Sequence, residues 1–369
     1  MAAPPTRASV VVIGGGVIGL SAAYHLAAAG VTDVVLVERD ELGSGSTCKA
    51  AGGVRAQFSD AVNIELGLRS LRTFETFREE FGQEIDLHQV GYLFLLDDPA
   101  DVARFERDVA LQNELGVPSR MLEVAEAKRL SPLVDTDGLL AAAYSPTDGH
   151  CTPESVVLGY AGAARRAGAT LCRGTTVEDV ELDGGTVTAV RTDRGTIHTG
   201  TVVCAAGPWS AVVGAMAGVD LPVTPERRDI VMTEPVAGLD PRTPFTIDFA
   251  TTFYFHAEGQ GLLMGMSDPE LLPDAVARRT PALTGVGVAS GWSGLYENTP
   301  DHNALIGEAE GVDRFLYATG FSGHGFLMGP AVGEVVRDLY LGRRPVVDVS
   351  GLDVRRFDDS GARPELNIV

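Results

Sequence analysis

Three glycines, Gly14, Gly16 and Gly19, stand between a β-branched run, Ser9 to Ile13, and an apolar stretch of helical pattern, Val17 to Ala29. Small residues at this spacing let the chain turn tightly from strand into helix. They also let the backbone approach a pyrophosphate, whose charge suits the N–H groups at a helix start. A second apolar run, Val34 to Val37, ends at Glu38, where a carboxylate can accept hydrogen bonds from an adenosine ribose. Strand, turn, helix, strand and acid in register predict a dinucleotide site more strongly than the glycines alone. Far downstream, Gly320, Gly323, Gly325 and Gly329 leave backbone free to approach a flat ligand, and Ala331 to Tyr340 follows with helical apolar spacing. A helix start aimed at that loop would favour negative charge on the ligand.

Two such loops at opposite ends of a chain need a fold that brings them together. A length of 369 residues with 45% hydrophobic content exceeds the size at which one core usually stops growing, so two domains are expected. Nucleotide-binding character returns late, where an apolar strand, Thr201 to Ala205, runs into Ala206-Gly207-Pro208-Trp209. Between the two lie helical patterns at Phe74 to Phe81, Val102 to Leu115 and Leu122 to Leu130, and a strand-like Tyr92 to Leu96. Val223 to Thr233 and Phe253 to Met266 read as further strands, the latter a hairpin about Glu258-Gly259-Gln260-Gly261. The domains are therefore expected to interleave along the chain.

Charge and cysteine content exclude other classes. Fifty acidic against 29 basic residues, a formal charge of −21, repel nucleic acid and anionic membrane surfaces. No nucleic-acid partner and no membrane span are expected. Cys48, Cys151, Cys172 and Cys204 form no CxxC pair and no metal-ligand spacing with histidine, which argues against disulfides and metal and for a reducing cytoplasm. Met1 to Ala8 lacks the apolar core of a secretory signal and reads as a frayed tail.

Taken in one order, Gly14-Gly15-Gly16-Val17-Ile18-Gly19, Glu38-Arg39, Gly43-Ser44-Gly45-Ser46-Thr47, Ala205-Ala206-Gly207-Pro208-Trp209 and Gly320-Phe321-Ser322-Gly323-His324-Gly325-Phe326 carry a resemblance. Over nearly its whole length the chain resembles the D-amino-acid oxidase superfamily of FAD-dependent oxidoreductases. Tyr296-Glu297-Asn298-Thr299-Pro300-Asp301-His302 and the 320–326 loop make it most similar to the sarcosine oxidase, dimethylglycine dehydrogenase and dye-linked proline dehydrogenase flavin-subunit group. The resemblance implies an α/β fold with a Rossmann-like FAD-binding domain (8–85, 146–215 and 300–345). This would interleave with an α+β substrate domain (86–145 and 216–299) carrying a mixed or antiparallel sheet, with 346–369 as a C-terminal tail. It also implies FAD-dependent oxidation of a C–N bond in a secondary or tertiary amino acid, by hydride transfer to flavin N5, giving an imine that hydrolyses. Either O2 or an electron-transfer acceptor would take the electrons. The alternatives are a primary amino-acid or glycine-type oxidase producing hydrogen peroxide and a non-catalytic flavin-bearing assembly subunit. A partner subunit in a heteromeric complex is also open.

By the same resemblance the cofactor contacts fall on Gly14, Gly16, Val17, Ile18, Gly19, Glu38, Arg39, Ser44, Ser46, Thr47, Lys49, Ala50, Ala51, Gly52, Val177, Ala206, Gly207, Trp209, Gly320, Ser322, Gly323, His324, Gly325 and Phe326. Arg55 aligns with an arginine that grips the substrate carboxylate, a task suited to a planar guanidinium, though an interdomain salt bridge is its plainer alternative. The second basic residue of that site falls on Leu327, and the lysine that activates oxygen falls on Leu263. Lys49 is the candidate substitute, and Tyr254, His256 and His324 complete the expected catalytic set. Alternation puts Tyr254 and His256 on one face of a strand without saying which. The residues that attach flavin covalently in relatives align near Gly294 and with Lys49, and Cys48 reads as a small buried apolar residue, so dissociable FAD is expected. Trp209 and Trp292 also read as packing residues.

Overall fold

Val10–Ile13 is buried along its whole length and pairs in parallel with Val34–Val37 on one side and Val202–Cys204 on the other. An unbroken apolar run is what a strand covered on both faces requires. The computed structural model describes residues 3–358 and 361–368, so Met1, Ala2, Asp359, Ser360 and Val369 of the two expected tails lie outside the described residues. The first sheet has six strands in the order Leu305–Glu308, Phe315–Thr319, Val202–Cys204, Val10–Ile13, Val34–Val37 and Thr170–Cys172. All pairs are parallel except Leu305–Glu308 with Phe315–Thr319.

A second sheet of eight strands draws on Tyr92–Leu96, Arg120–Leu122, Ala141–Ser145, Thr224–Thr233, Phe245–Asp248, Phe253–Glu258, Gly261–Met266 and Val288–Asn298. It is mixed: Phe245–Asp248 runs parallel to Tyr92–Leu96, and its other pairs are antiparallel. The chain thus leaves the first sheet twice to build the second. A small antiparallel sheet, Val177–Asp183, Thr186–Thr192 and Gly195–His198, packs beside the first. No helix among the described residues is long and apolar enough to cross a membrane.

Two helices fix how the loops meet. The helix Gly325–Tyr340 lies on Val17–Ala28, with Gly329 over Val17 and Gly333 over Ser21, so the two run parallel and start on the same side. A Cβ on Gly329 would lie 2.6 Å from Val17 Cγ2, and one on Gly333 would lie 2.1 Å from Ser21 Oγ. Leu20, Ala23, Val332 and Val335 close the contact, all fully buried. The helix begins at Gly325 rather than at Ala331, where the apolar spacing becomes visible, because its first turn is glycine-rich and Pro330 sits inside it. The pattern over Phe74 to Phe81 breaks at Thr76 into the helices Ala61–Glu75 and Phe77–Phe81. The long edge strand Val288–Asn298, half exposed and glycine-bearing, gives no clean alternation to read in advance.

The stretch expected as a C-terminal tail is instead threaded into the molecule where it is described. Glu365 is fully buried, and its carboxylate accepts hydrogen bonds from Ser59 N and Oγ at 2.9 and 2.7 Å and from Asn63 Nδ2 at 2.9 Å. It sits at the start of Ala61–Glu75, where a helix favours negative charge. Polar composition hid this, since a segment held by one buried carboxylate has no apolar periodicity.

The contact between the two parallel helices predicts that Gly333→Val lowers stability by roughly 1–3 kcal/mol through overpacking. Gly285→Ala, where an added Cβ meets nothing within 4 Å, should leave it unchanged, as read by calorimetry.

Candidate active site

A cavity of about 570 Å³ opens between the two large sheets, within the usual range of cofactor sites. Its wall runs from Gly14, Gly15 and Gly16 past 44–47, 49–53 and 205–209 to Arg55, Tyr92, Tyr254 and the start of Gly325–Tyr340. At one end the chain is shaped for close backbone approach. Gly14 has φ +115°, and a Cβ there would lie 2.2 Å from the Ala205 carbonyl oxygen. Helix Val17–Ala28 starts at Gly16 without a side-chain cap, and Val17 N–H donates to Thr47 Oγ1 at 3.1 Å. Glu38 accepts from Gly15 N at 2.7 Å and Asp40 N at 2.8 Å, which fixes its carboxylate at the turn. The Arg39 guanidinium lies 4.5 Å over the Trp209 ring, so Trp209 forms cavity wall rather than plain core.

Most of the expected contact residues line this one cavity: Gly14, Gly16, Val17, Ile18, Glu38, Arg39, Ser44, Ser46, Thr47, Lys49, Ala50, Ala51, Gly52, Val177, Ala206, Gly207, Trp209, Gly323, His324, Gly325 and Phe326. Gly19, Gly320 and Ser322 do not; they shape the turns behind it. A Cβ on Gly19 would lie 2.0 Å from the Gly14 carbonyl oxygen, and one on Gly320, at φ +70°, would lie 2.5 Å from Thr299 Cγ2. Ser322 is buried and accepts from Thr299 N at 3.2 Å.

Of the expected catalytic set, Arg55, Lys49, Tyr254 and His324 line the cavity. His256 does not. It lies on the same strand face as Tyr254 but beneath Ala51, its Nε2 3.0 Å from the Ala51 carbonyl oxygen and its ring 4.9 Å from Phe245. Lys49 is exposed, and its backbone approaches the strand at Gly294; Trp292 Nε1 donates to the Lys49 carbonyl at 3.0 Å. Leu327 lines the cavity, whereas Leu263 is buried behind its wall with Ile230 and Tyr254. Cys48 lies off the cavity beside Gly43, and burial pushes its thiol up to about 11.

Arg55 is 2% exposed, and its hydrogen-bonding partners are neutral. It donates to the Asn367 carbonyl at 2.6 Å, to the Gln57 carbonyl and to His324 Nε2 at 3.2 Å, and it lies 4.2 Å over the Phe58 ring. Among the described residues no carboxylate forms an ion pair with it. Because a guanidinium only donates, His324 Nε2 accepts and the imidazole proton resides on Nδ1. Burial first, and the Arg55 charge second, hold His324 well below the ordinary histidine range, so it is neutral.

Other wall residues escaped sequence reasoning. Arg228 pairs with Glu226 at 2.7 Å, lies 5.0 Å over Tyr296, and keeps a buried Nε without a partner. Tyr92 and Phe245 stack at 4.3 Å, both facing the cavity. Glu297 holds the 320–324 loop, accepting from Gly320 N at 3.0 Å and Thr319 Oγ1 at 2.8 Å, while burial raises its carboxyl. Glu297 lay inside a recognised motif, but nothing local marked its carboxylate as the clamp of a loop more than twenty residues away.

The sequence profile described as "FAD dependent oxidoreductase" matches residues 9–339. The chain belongs to this family. It is 31% identical to mitochondrial dimethylglycine dehydrogenase of Mus musculus, over 96% of this chain and 45% of that protein. It is 32% identical to mitochondrial sarcosine dehydrogenase of Homo sapiens, over 96% and 42%. The chain thus spans under half the length of these curated relatives. Among solved structures, L-proline dehydrogenase from P. horikoshii superposes with a TM-score of 0.91 at 34% identity, covering 98% of this chain and all of that one. Glycine oxidase from Geobacillus kaustophilus gives 0.84 at 26%, covering 95% and 99%. As a member of the FAD-dependent oxidoreductase family it has a mixed α/β fold.

Below Arg55, Asp148 is fully buried, accepts from Ala56 N at 3.2 Å, and is pushed by burial up to about 7. A carboxyl raised in the fold binds its proton more tightly there than when unfolded, so its stabilisation is complete at low pH and lost as pH rises through about 7. Asp148→Asn should therefore flatten the fall in thermal midpoint between acid and pH values above this range, measured by calorimetry across pH.

Proposed function

We propose that the chain oxidises a C–N bond of a secondary or tertiary amino acid, of the sarcosine, dimethylglycine or proline type, with FAD held non-covalently. The observation that carries this reading is the buried Arg55 guanidinium, bonded to neutral acceptors at the cavity wall and with no carboxylate ion-paired to it among the described residues. A substrate carboxylate would complete it, and the unpartnered Nε of Arg228 offers a second donor in the same cavity. The names of the dimethylglycine, sarcosine and proline dehydrogenase relatives support the substrate class.

The residues fit FAD. The glycine turn and the uncapped start of Val17–Ala28 suit a pyrophosphate, Glu38 a ribose, and Arg39 over Trp209 the adenosine end. The start of Gly325–Tyr340 would face the flavin ring with its positive end. When bound, FAD supplies the two-electron acceptor for hydride leaving the substrate carbon. The protein's part is to orient and to exclude water. Arg55 and Arg228 hold the carboxylate, Tyr92, Phe245 and Tyr254 wall off solvent, and neutral His324 keeps Arg55 aimed without competing for its charge.

Cys48 is off the cavity with a raised thiol, and Gly294 and Lys49 stand where relatives place attachment residues, which supports dissociable cofactor. With Leu263 in the core and the exposed Lys49 the cavity's one lysine among the described residues, no buried lysine among those residues faces the cavity to activate oxygen, which supports an electron-transfer acceptor. A partner subunit would fit a chain that spans under half of its dimethylglycine and sarcosine dehydrogenase relatives. Four free cysteines fit a reducing cytoplasm.

Anaerobic mixing with sarcosine, dimethylglycine, L-proline, D-proline, glycine and dimethylamine, followed by admission of air, tests this. The expected result is bleaching of the oxidised flavin band by a substituted amino acid but not by dimethylamine, with slow recovery in air. Bleaching by glycine with peroxide release would favour the glycine-type oxidase, and none by any amine the non-catalytic reading. Arg55→Lys should lower kcat/KM by roughly 30- to 1,000-fold, chiefly through KM, with FAD retained.

A further inference from the structure

On the side of Ala51 away from the cavity, ligand-bearing side chains converge that the proposed oxidation does not use. His150, His256 and Glu258 each present a ligand atom within 4.8 Å of the others. His150 belongs to a short strand paired with Gly53–Val54, and His256 and Glu258 share one face of Phe253–Glu258. Both histidines are buried, at 5% and 1% exposure, with ring centroids 4.1 Å apart, while Glu258 stands at the surface end.

Hydrogen bonding within the protein leaves this group incomplete. His150 Nε2 is buried with no partner. His256 has Nδ1 2.9 Å from the Ala257 carbonyl oxygen and Nε2 3.0 Å from that of Ala51. A neutral imidazole donates from one nitrogen, so the other turns a lone pair toward an oxygen. The unpartnered Nε2 of His150 and a lone pair of His256 thus lie beside the Glu258 carboxylate with no donor hydrogen-bonded to them.

We propose that His150, His256 and Glu258 form a binding site for a zinc-class divalent cation. Two imidazoles and a carboxylate match the borderline ions zinc, cobalt and nickel, whereas calcium and magnesium favour all-oxygen sets. The ion takes the orphaned Nε2 of His150 and one nitrogen of His256, whose other N–H then donates to its carbonyl, the arrangement that commonly orients a ligating histidine. His88 and Asp86 stand at the mouth. The His88 ring is 5.2 Å from that of His150, and paired backbone bonds of 2.8 and 3.1 Å hold the two residues together. Spacing along the sequence gave no sign of this site, because His150 comes from an element far from the strand that carries His256 and Glu258. The ion would tie the hairpin Phe253–Met266 to the strand whose neighbour, Ala51, lines the cavity. The proposal stands on geometry apart from the substrate reading.

Untagged, flavin-loaded protein is stripped with a chelator, dialysed and titrated with Co2+ while its visible d–d bands are followed, then challenged with Zn2+. One Co2+ per chain, displaced by Zn2+ and accompanied by a raised thermal midpoint, is expected. Glu258→Gln, at an exposed position that keeps the fold and the flavin spectrum, should weaken binding by at least roughly tenfold. His150→Asn should abolish it. No cobalt bands at stoichiometric metal, or equal binding in wild type and both variants, would overturn the site.

Discussion

The missing side chains of Gly329 and Gly333 set the architecture of the active site. They let helix Gly325–Tyr340 settle on Val17 and Ser21 closely enough that two helices from opposite ends of the sequence run parallel. Helix starts carry unsatisfied N–H groups and partial positive charge, so bringing two of them to one cavity makes it a receptor for a ligand with anionic character at two separated points. A cofactor with a pyrophosphate and a reducible ring has that form. Glu297 and Ser322 hold the second start in place from behind, through the 320–324 loop.

The end of the cavity proposed to hold the substrate is organised around a buried cation. An arginine removed from water without a paired carboxylate is costly, and here neutral carbonyls, a neutral imidazole and the Phe58 face offset part of that cost. Burial lowers its pKa, and Tyr92, Glu365 and Asp148 act on it in the opposite direction. The segment 361–368 is thereby part of the site, because Asn367 supplies one of those carbonyls and Glu365 anchors the turn beneath.

The second sheet contributes enclosure. Tyr92, Phe245, Tyr254 and Tyr296 come from four strands and meet only when the sheet is assembled. Strand alternation read from sequence put Tyr254 and His256 on one face, which is where they lie, yet one lines the cavity and the other packs under Ala51. The cavity rim falls between them, and that boundary is a property of the loop 50–53 rather than of the strand.

What the sequence determined by itself was the local chemistry: the glycine turn and Glu38, the 320–329 glycines, the alignment of Arg55, and the alternation of two kinds of sheet-forming segment. These signals are legible because a tight turn, a left-handed glycine or an apolar run constrains residues adjacent in the chain. Tertiary structure alone decided that Arg55 bonds neutral acceptors, that Arg228 and Glu297 belong to the site, that 361–368 is buried, and that His150 meets His256. Each of these depends on groups more than twenty, and often hundreds, of residues apart, and hydrogen bonding and burial at that range leave no periodicity in the sequence to read.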